Sequence, residues 1–366
     1  KSHKLVKNKH TQYYKRWVRE MSRFSDSKTN STSSKSSNQW ECVGPWDFDK
    51  DANSRSYAPG AAHVYTVEQA VSNQNVLYAG TATAGAWKTN DKGDNWSLIT
   101  ANLELNGVYA IEIDFTNPDI TYISGNGGIY KSYDGGASWT IIGDAAFTAL
   151  SHSINDMKLN PSNNMELFVA SDKGLYHSLN GGTNFTQIMS GDFLEIEFHP
   201  TLMNTMYFIR TSGDKTEFYR SDDGGISLTL YTNGWPDPGT GEEQKRTEIA
   251  VSPATPNKIV ALATGSANGG SGLYGIYISN DKGENWIFQC CGPQPAGPPD
   301  SLNINMMGWQ PDGSDDGGQY YYDLALAVNP NNADIIHVGG VNHWISFDNG
   351  LTFTCPAKWS EPHKKG

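Results

Sequence analysis

Six polar side chains recur at matched places along the sequence: Asp91, Asp134, Asn180, Asp223, Asp281 and Asp348. A set of carboxylates could act as general acids and bases, or hold a cation. Their surroundings point elsewhere. Each is the third residue of an eight-residue pattern, Ser/Thr-x-Asp/Asn-x-Gly-x-x-aromatic. The copies read TNDKGDNW from Thr89, SYDGGASW from Ser132, SLNGGTNF from Ser178, SDDGGISL from Ser221, SNDKGENW from Ser279 and SFDNGLTF from Ser346, with Leu228 replacing the aromatic in the fourth. A carboxylate or amide at position three, with a hydroxyl at position one, hydrogen-bonds turn amides. Glycine at position five supplies the positive φ of a tight hairpin. The pattern therefore predicts six structural hairpins rather than a catalytic set, with each terminal aromatic returning to the core.

A second group of acids keeps the same period. Five residues before Pro161, Pro200 and Pro253 stand Asp156, Glu195 and Glu248. Those positions should open the innermost strand of successive repeats and line a central channel, where a carboxylate ring could bind a cation, an amine or a basic peptide. The alternative is a channel mouth that is merely wet and polar. Asp47, Asp49, Asp51 and Asn53 resemble the opening of a calcium loop, but Ala52 and Ala58 stand where the loop needs Gly and Glu. That leaves a loose structural calcium site or a solvated acidic loop. Nine histidines are scattered without His-Glu-x-x-His or His-x-His, so no catalytic zinc is expected, and no other cofactor is implied. Neither Gly-x-Ser-x-Gly nor a phosphate-binding Gly-rich loop occurs.

The elements that position these residues follow from the repeat. Spacings of 43, 46, 43, 58 and 67 between the third positions fit one four-stranded propeller blade per copy. Upstream of each hairpin lies a turn and a β-rich run, as in TNPDITYISG from Thr116 and HPTLMNTMYFIRT from His199. The expected fold is an all-β propeller of about six four-stranded blades over residues 40–366, continuing in a longer protein. The two long spacings mark insertions at Thr232–Arg246 and Gln289–Tyr322, and loops of that length on a compact scaffold carry function. Before the propeller, Tyr14, Trp17, Met21 and Phe24 fall at helical spacing among basic residues, predicting one short amphipathic helix within 1–24. Residues 25–39 read as a flexible Ser/Thr/Asn linker. Residues 39–46, QWECVGPW, are a candidate closing strand.

Charge and cysteines narrow the partners. Residues 1–39 carry ten Lys/Arg and two Asp/Glu, so the remainder is strongly acidic within a total of -12. An acidic body repels phosphate backbones, and nucleic acid is not an expected partner. No apolar run is long enough to predict a transmembrane segment. Cys42, Cys290, Cys291 and Cys355 have no C-x-x-C spacing, which argues against zinc and a thioredoxin-like redox site; one or two disulfides in an oxidising compartment are expected, with buried free thiols as the alternative. At least one of the adjacent Cys290 and Cys291 should be oxidised, with Cys42 and Cys355 as candidate partners.

The eight-residue copies resemble the Asp-boxes, or BNR repeats, of sialidases, xyloglucan-cleaving glycosidases and sortilin-type receptors. Together with YYKRW at Tyr13, VGPW at Val43, LYAGTATAGAWKTNDKGDNW at Leu77 and YYYDLALAVNPNNADIIHVGGVN at Tyr320, they resemble large sortilin-like or sialidase-like surface proteins of Bacteroidetes bacteria exported by type IX secretion. The resemblance implies an extracellular or cell-surface protein whose signal peptide has been removed, with the secretion machinery among its partners. It does not imply catalysis. Sialidases need an Arg-Ile-Pro motif, absent here, and the stretch YAGTATAGAWK places Ala82 where the xyloglucan enzymes carry a catalytic Asp. The favoured function is non-catalytic binding of a polysaccharide or extracellular protein through Trp235, Trp309, Tyr320, Tyr321 and Tyr322 of the insertions, with Asp323 beside them. Tyr320–Tyr322 could instead begin an inner strand and fill the core. The alternatives are a glycoside hydrolase of this propeller type and a structural component or cargo of a surface secretion assembly.

Overall fold

The computed structural model describes residues 64–82, 84–103, 105, 107–267, 270–291, 304–321 and 324–358. The expected N-terminal helix, the linker, the strand at 39–46, Asp47, Asp49, Asp51, Cys42, Tyr322 and Asp323 lie outside the described residues. Those described form six antiparallel four-stranded sheets in sequence order, the blades of a β-propeller. The first blade holds β1 (Val64–Gln69), β2 (Leu77–Thr81), β3 (Ala86–Thr89) and β4 (Ser97–Leu98). The second holds β5 (Ile111–Ile113), β6 (Thr121–Gly125), β7 (Gly128–Ser132) and β8 (Thr140–Ile142). The third has β9 (Ile154–Asn160), β10 (Asn163–Ser171), β11 (Gly174–Ser178) and β12 (Thr186–Ser190). The fourth comprises β13 (Asp192–Phe198), β14 (Met206–Ser212), β15 (Lys215–Ser221) and β16 (Thr229–Tyr231). In the fifth stand β17 (Glu243–Val251), β18 (Ile259–Ala267), β19 (Gly270–Ser279) and β20 (Ile287–Cys290). The sixth contains β21 (Ala325–Val328), β22 (Ile336–Gly339), β23 (His343–Ser346) and β24 (Thr354–Ala357). A four-residue helix, α1 (Ala145–Thr148), follows the second blade and is capped by the Asp144 carboxylate, which accepts from the amides of Ala146 and Phe147.

Burial explains the strand sequences. The second strand of a blade is covered on both faces by its neighbours, so it reads as an apolar or small run such as TYISG or IVALATG, buried throughout. Apolar clusters join successive blades: Tyr78 with Ile123, Tyr122 with Val169, Phe168 with Phe208, Tyr207 with Ala261, and Leu262 with Val338. Outer strands such as β4 are exposed.

All six eight-residue repeats connect the third and fourth strands of a blade, which places them on one rim. In every copy the first hydroxyl accepts the amide of the fifth residue, at 2.8–2.9 Å. The third side chain accepts the amide of the seventh, at 2.8–3.0 Å. Glycine five has positive φ, 93° at Gly136, and so has the fourth residue, even when it is Lys92, Lys282 or Asn349. The eighth residue is buried at Trp286 and Phe353 and half-buried at the other four positions.

The fourth residue also stitches blades together. Its amide donates to the turn of its own blade, as from Gly135 to Asp119 O at 2.9 Å and from Lys282 to Asn257 O at 2.9 Å. Its carbonyl accepts from a cation on the preceding blade: Lys88 Nζ to Gly135 O at 3.3 Å, Lys131 Nζ to Gly181 O at 3.2 Å, and Arg220 Nη1 to Lys282 O at 3.0 Å. Each of these cations immediately precedes the first residue of its own blade's repeat. Charge-assisted bonds that span two blades restrain their relative rotation.

Cys290 and Cys291 form a disulfide with each other. Oxidation at this pair agrees with expectation, but neither Cys42 nor Cys355 is the partner. The pair sits in the cluster between blades five and six with Met306, Met307 and Trp344.

Removing one hairpin hydroxyl tests the structural role of the repeat. Ser132→Ala leaves the buried Gly136 amide without its acceptor and should cost about 1–3 kcal/mol in urea unfolding. A cost below about 0.5 kcal/mol, the range of an ordinary surface change, would contradict that role.

Candidate functional site

Two regions gather polar and aromatic side chains that could do chemistry: the channel at the propeller axis, and the rim opposite the repeat hairpins.

The channel follows from strand register. The first Ser/Thr of each repeat pairs through the second strand to Gln69, Ile113, Leu159, Phe198, Val251 and Val328 on the six innermost strands. One residue earlier stand Glu68, Glu112, Lys158, Glu197, Ala250 and Ala327. Three residues earlier stand Thr66, Ala110, Asp156, Glu195, Glu248 and Ala325. With side chains alternating along a strand, these are two stacked layers on one face of each blade. The expected Asp156, Glu195 and Glu248 thus share the upper layer. Glu68, Glu112, Lys158 and Glu197 of the lower layer escaped the sequence reading, although a two-residue step from the first set reaches Lys158 and Glu197.

Three of the carboxylates cross from one blade to the next. Glu112 accepts the amide of Leu159 at 2.9 Å, Asp156 that of Ile196 at 3.0 Å, and Glu195 that of Ile249 at 2.6 Å. Each acceptor lies on one innermost strand and each donor on the next, so the bonds tie together blades two, three, four and five.

Electrostatics at the axis favour neutral carboxyls. Burial pushes Glu112 up to about 8 and Glu197 up to about 7, against the pull of Lys158 on both. Glu195 is raised well above the usual carboxylate range, first by burial and then by Glu248. Burial also raises Glu68, Asp156 and Glu248. Lys158 is held above its ordinary value, chiefly by Asp156. Most of these residues keep partial solvent access, yet burial is the largest cause of every raised carboxyl among them.

The opposite rim carries the insertions, because residues 232–242 and 291–324 connect an outermost strand to the next innermost one. Asn305 is the peg of the second insertion. Its Oδ1 accepts from the amides of Leu273 and Met307, and its Nδ2 donates to the carbonyls of Asp315 and Gly317. Ser271 N donates to Asp316 O, and Asn342 Nδ2 donates to Gly308 O and Trp309 O. Thr264 Oγ1 donates to Tyr320 O, and Arg246 Nη1 to Tyr321 O at 3.4 Å. Arg246 also pairs with Glu248 at 2.7 Å, which links the insertion to the channel.

The structure separates the expected ligand-binding aromatics. Trp309 is 41 % exposed and Tyr321 59 %. Tyr320 is half-buried against the core of blades five and six. Trp235, expected on the surface, is only 7 % exposed. It packs edge-on against Trp286 and donates Nε1–H to Thr216 O at 2.7 Å, so it fills the core between blades four and five. Its apolar area and its one donor are both satisfied there.

On the sixth blade His337 Nδ1 and His343 Nε2 lie 3.0 Å apart with parallel rings, and burial lowers both pKa values. Two imidazoles do not make a metal site, and no group of three or more His, Cys, Asp or Glu side chains placed to hold a metal occurs among the described residues. No helix among them is long and apolar enough to cross a membrane. Ala82 stands in the β2–β3 connection on the insertion rim.

No protein-family model matches the chain, and no curated protein sequence matches it. Solved propellers do. The Niastella koreensis GH74 enzyme aligns with a TM-score of 0.60 and 18 % identity over 81 % of this chain and 47 % of its own. The Xanthomonas campestris GH74 xyloglucanase gives 0.59 and 16 % over 82 % and 46 %. YCF48 bound to D1 peptide gives 0.54 and 16 % over 81 % and 83 %. This chain therefore spans about half the length of the two GH74 enzymes, and identities this low show a shared propeller fold.

Replacing Glu195 separates the two roles a channel carboxylate could have. Glu195→Ala uncaps the Ile249 amide and should destabilise the chain by about 1–3 kcal/mol. Glu195→Gln keeps an acceptor in a side chain that stays neutral, as the raised Glu195 carboxyl does, and should leave thermal stability unchanged or raised. Equal losses in both variants would show that the cross-blade bond is not what the side chain contributes.

Proposed function

We propose that this chain is a non-catalytic recognition propeller of a secreted or cell-surface bacterial protein, binding polysaccharide or protein through its insertion-bearing rim. The observation that carries this reading is the pairing of two exposed aromatics, Trp309 and Tyr321, with a rigid mounting. Asn305, Asn342, Thr264 and Arg246 hold the insertion by its backbone. The ordering cost of such a surface is met before a ligand arrives. Aromatic faces then stack on sugar rings or anchor peptide side chains. Similar solved propellers include a xyloglucanase and a protein bound to a peptide, and both ligand classes suit this rim.

Export by the type IX route and the Asp-box ancestry rest on the repeat sequence and the resemblance it carries. Hydrolysis is the second reading, favoured by the fold shared with GH74 enzymes. Against it stands Ala82 at the position where the xyloglucan-type enzymes need a carboxylate. Participation in a surface assembly as a structural part or cargo is a third.

Glycan and peptide arrays probed with the wild-type chain and with Trp309→Ala and Tyr321→Ala test the reading. A wild-type ligand should lose about fivefold or more in affinity with each variant, the factor that corresponds to about 1 kcal/mol. Undiminished binding by both variants would overturn the assignment of the rim. Release of reducing sugar from a polysaccharide would replace recognition with hydrolysis.

A further inference from the structure

The charged groups at the axis do not balance. Glu68 comes from β1, Glu112 from β5, Asp156 and Lys158 from β9, Glu195 and Glu197 from β13, and Arg246 and Glu248 from β17; β21 adds only Ala325 and Ala327. Among the described residues, six carboxylates therefore meet two cations. Arg246 is committed to Glu248 at 2.7 Å. Lys158 alone faces Asp156, Glu197, Glu68 and Glu112 together. Like charges that share a desolvated space do not all ionise together.

The geometry points to an axial joint that carries bound protons at neutral pH and sheds them above it, so that the blades are held together less firmly as pH rises. The cross-blade bonds survive protonation, because a neutral carboxyl keeps a carbonyl oxygen that accepts the amides of Leu159, Ile196 and Ile249. Loss of the protons leaves those bonds in place and adds repulsion among side chains on five blades. The raised values of Glu112, about 8, and Glu197, about 7, agree with this.

The sign follows from linkage. Folded carboxyls raised above their unfolded values bind protons that the unfolded chain releases. Stability therefore falls as pH rises from the ordinary carboxylate range through about 7 to 8. Buried histidines act the other way. His152, His337 and His343 are lowered by burial, so their contribution is lost on acidification through the ordinary histidine range. Above neutral pH the carboxyls alone among these groups set the slope.

Unfolding calorimetry of the full chain at pH 7.5, run in two buffers of different ionisation enthalpy, counts the protons released. The wild type should release about one or more. Glu112→Gln combined with Glu197→Gln should lower that number by about one and flatten the decline of Tm between pH 7 and 9. Should that variant not fold, infrared spectroscopy of the wild type reads the same state. A carboxylic-acid carbonyl band should be present at pH 7.5 and weaker at pH 9.5, as Glu112 and Glu197 ionise. A wild type that releases no protons on unfolding, or lacks that band at pH 7.5, would overturn the proposal.

Discussion

An innermost propeller strand pairs on one side only, and its other edge turns every second amide toward the axis. Amides on such an edge need acceptors. In blades three, four and five the preceding blade provides them: Glu112 reaches the Leu159 amide, Asp156 that of Ile196, and Glu195 that of Ile249. This one constraint explains why acids gather at the axis. It fixes them at one face of the innermost strand, gives them a period equal to the blade, and gathers carboxyls where Lys158 and Arg246 are the cations among the described residues. On the repeat rim, Lys88, Lys131 and Arg220 make the corresponding links through the carbonyl of a hairpin's fourth residue. Blades are thus joined by apolar faces in the middle, by carboxyl–amide bonds at the axis and by charge-assisted bonds at the rim.

The architecture was legible because it is written in periodic residues. A hydroxyl, a carboxylate or amide and a glycine at positions one, three and five demand one hairpin geometry, and six copies near a common spacing demand one blade each. Proline turns in the same phase located Asp156, Glu195 and Glu248. The lower layer was not legible, because Glu68 and Glu112 precede turns of different length and Lys158 breaks the run of acids. Nor did the sequence distinguish Trp235 from Trp309. Both lie in Gly/Pro-rich insertions, and only the packed structure shows that one indole closes the core beside Trp286 while the other stays at the surface. For Cys290 the nearest partner was its chain neighbour, a pairing that no spacing rule singles out.

The same scaffold serves hydrolases and peptide-binding proteins, so function has to be sought in what differs between blades. Here the differences are concentrated. On the insertion rim the connections after blades one to four run 99–110, 143–153, 191 and 232–242, whereas the connection from blade five to blade six runs 291–324 and is pinned by Asn305 and Asn342. Arg246 touches both that insertion and the axial acids. Arg246 therefore joins the insertion to the axial cluster through one side chain.

The central claim is that acids at the axis cap the amides of the neighbouring blade, and amide hydrogen exchange reads those bonds one by one. In the native full chain at low ionic strength, the amides of Leu159, Ile196 and Ile249 should exchange as slowly as ladder amides in the middle of β10 and β14, because both must wait for the structure to open. Exchange of these three at the rate of exposed, unbonded amides, with the ladder amides still protected, would contradict the account.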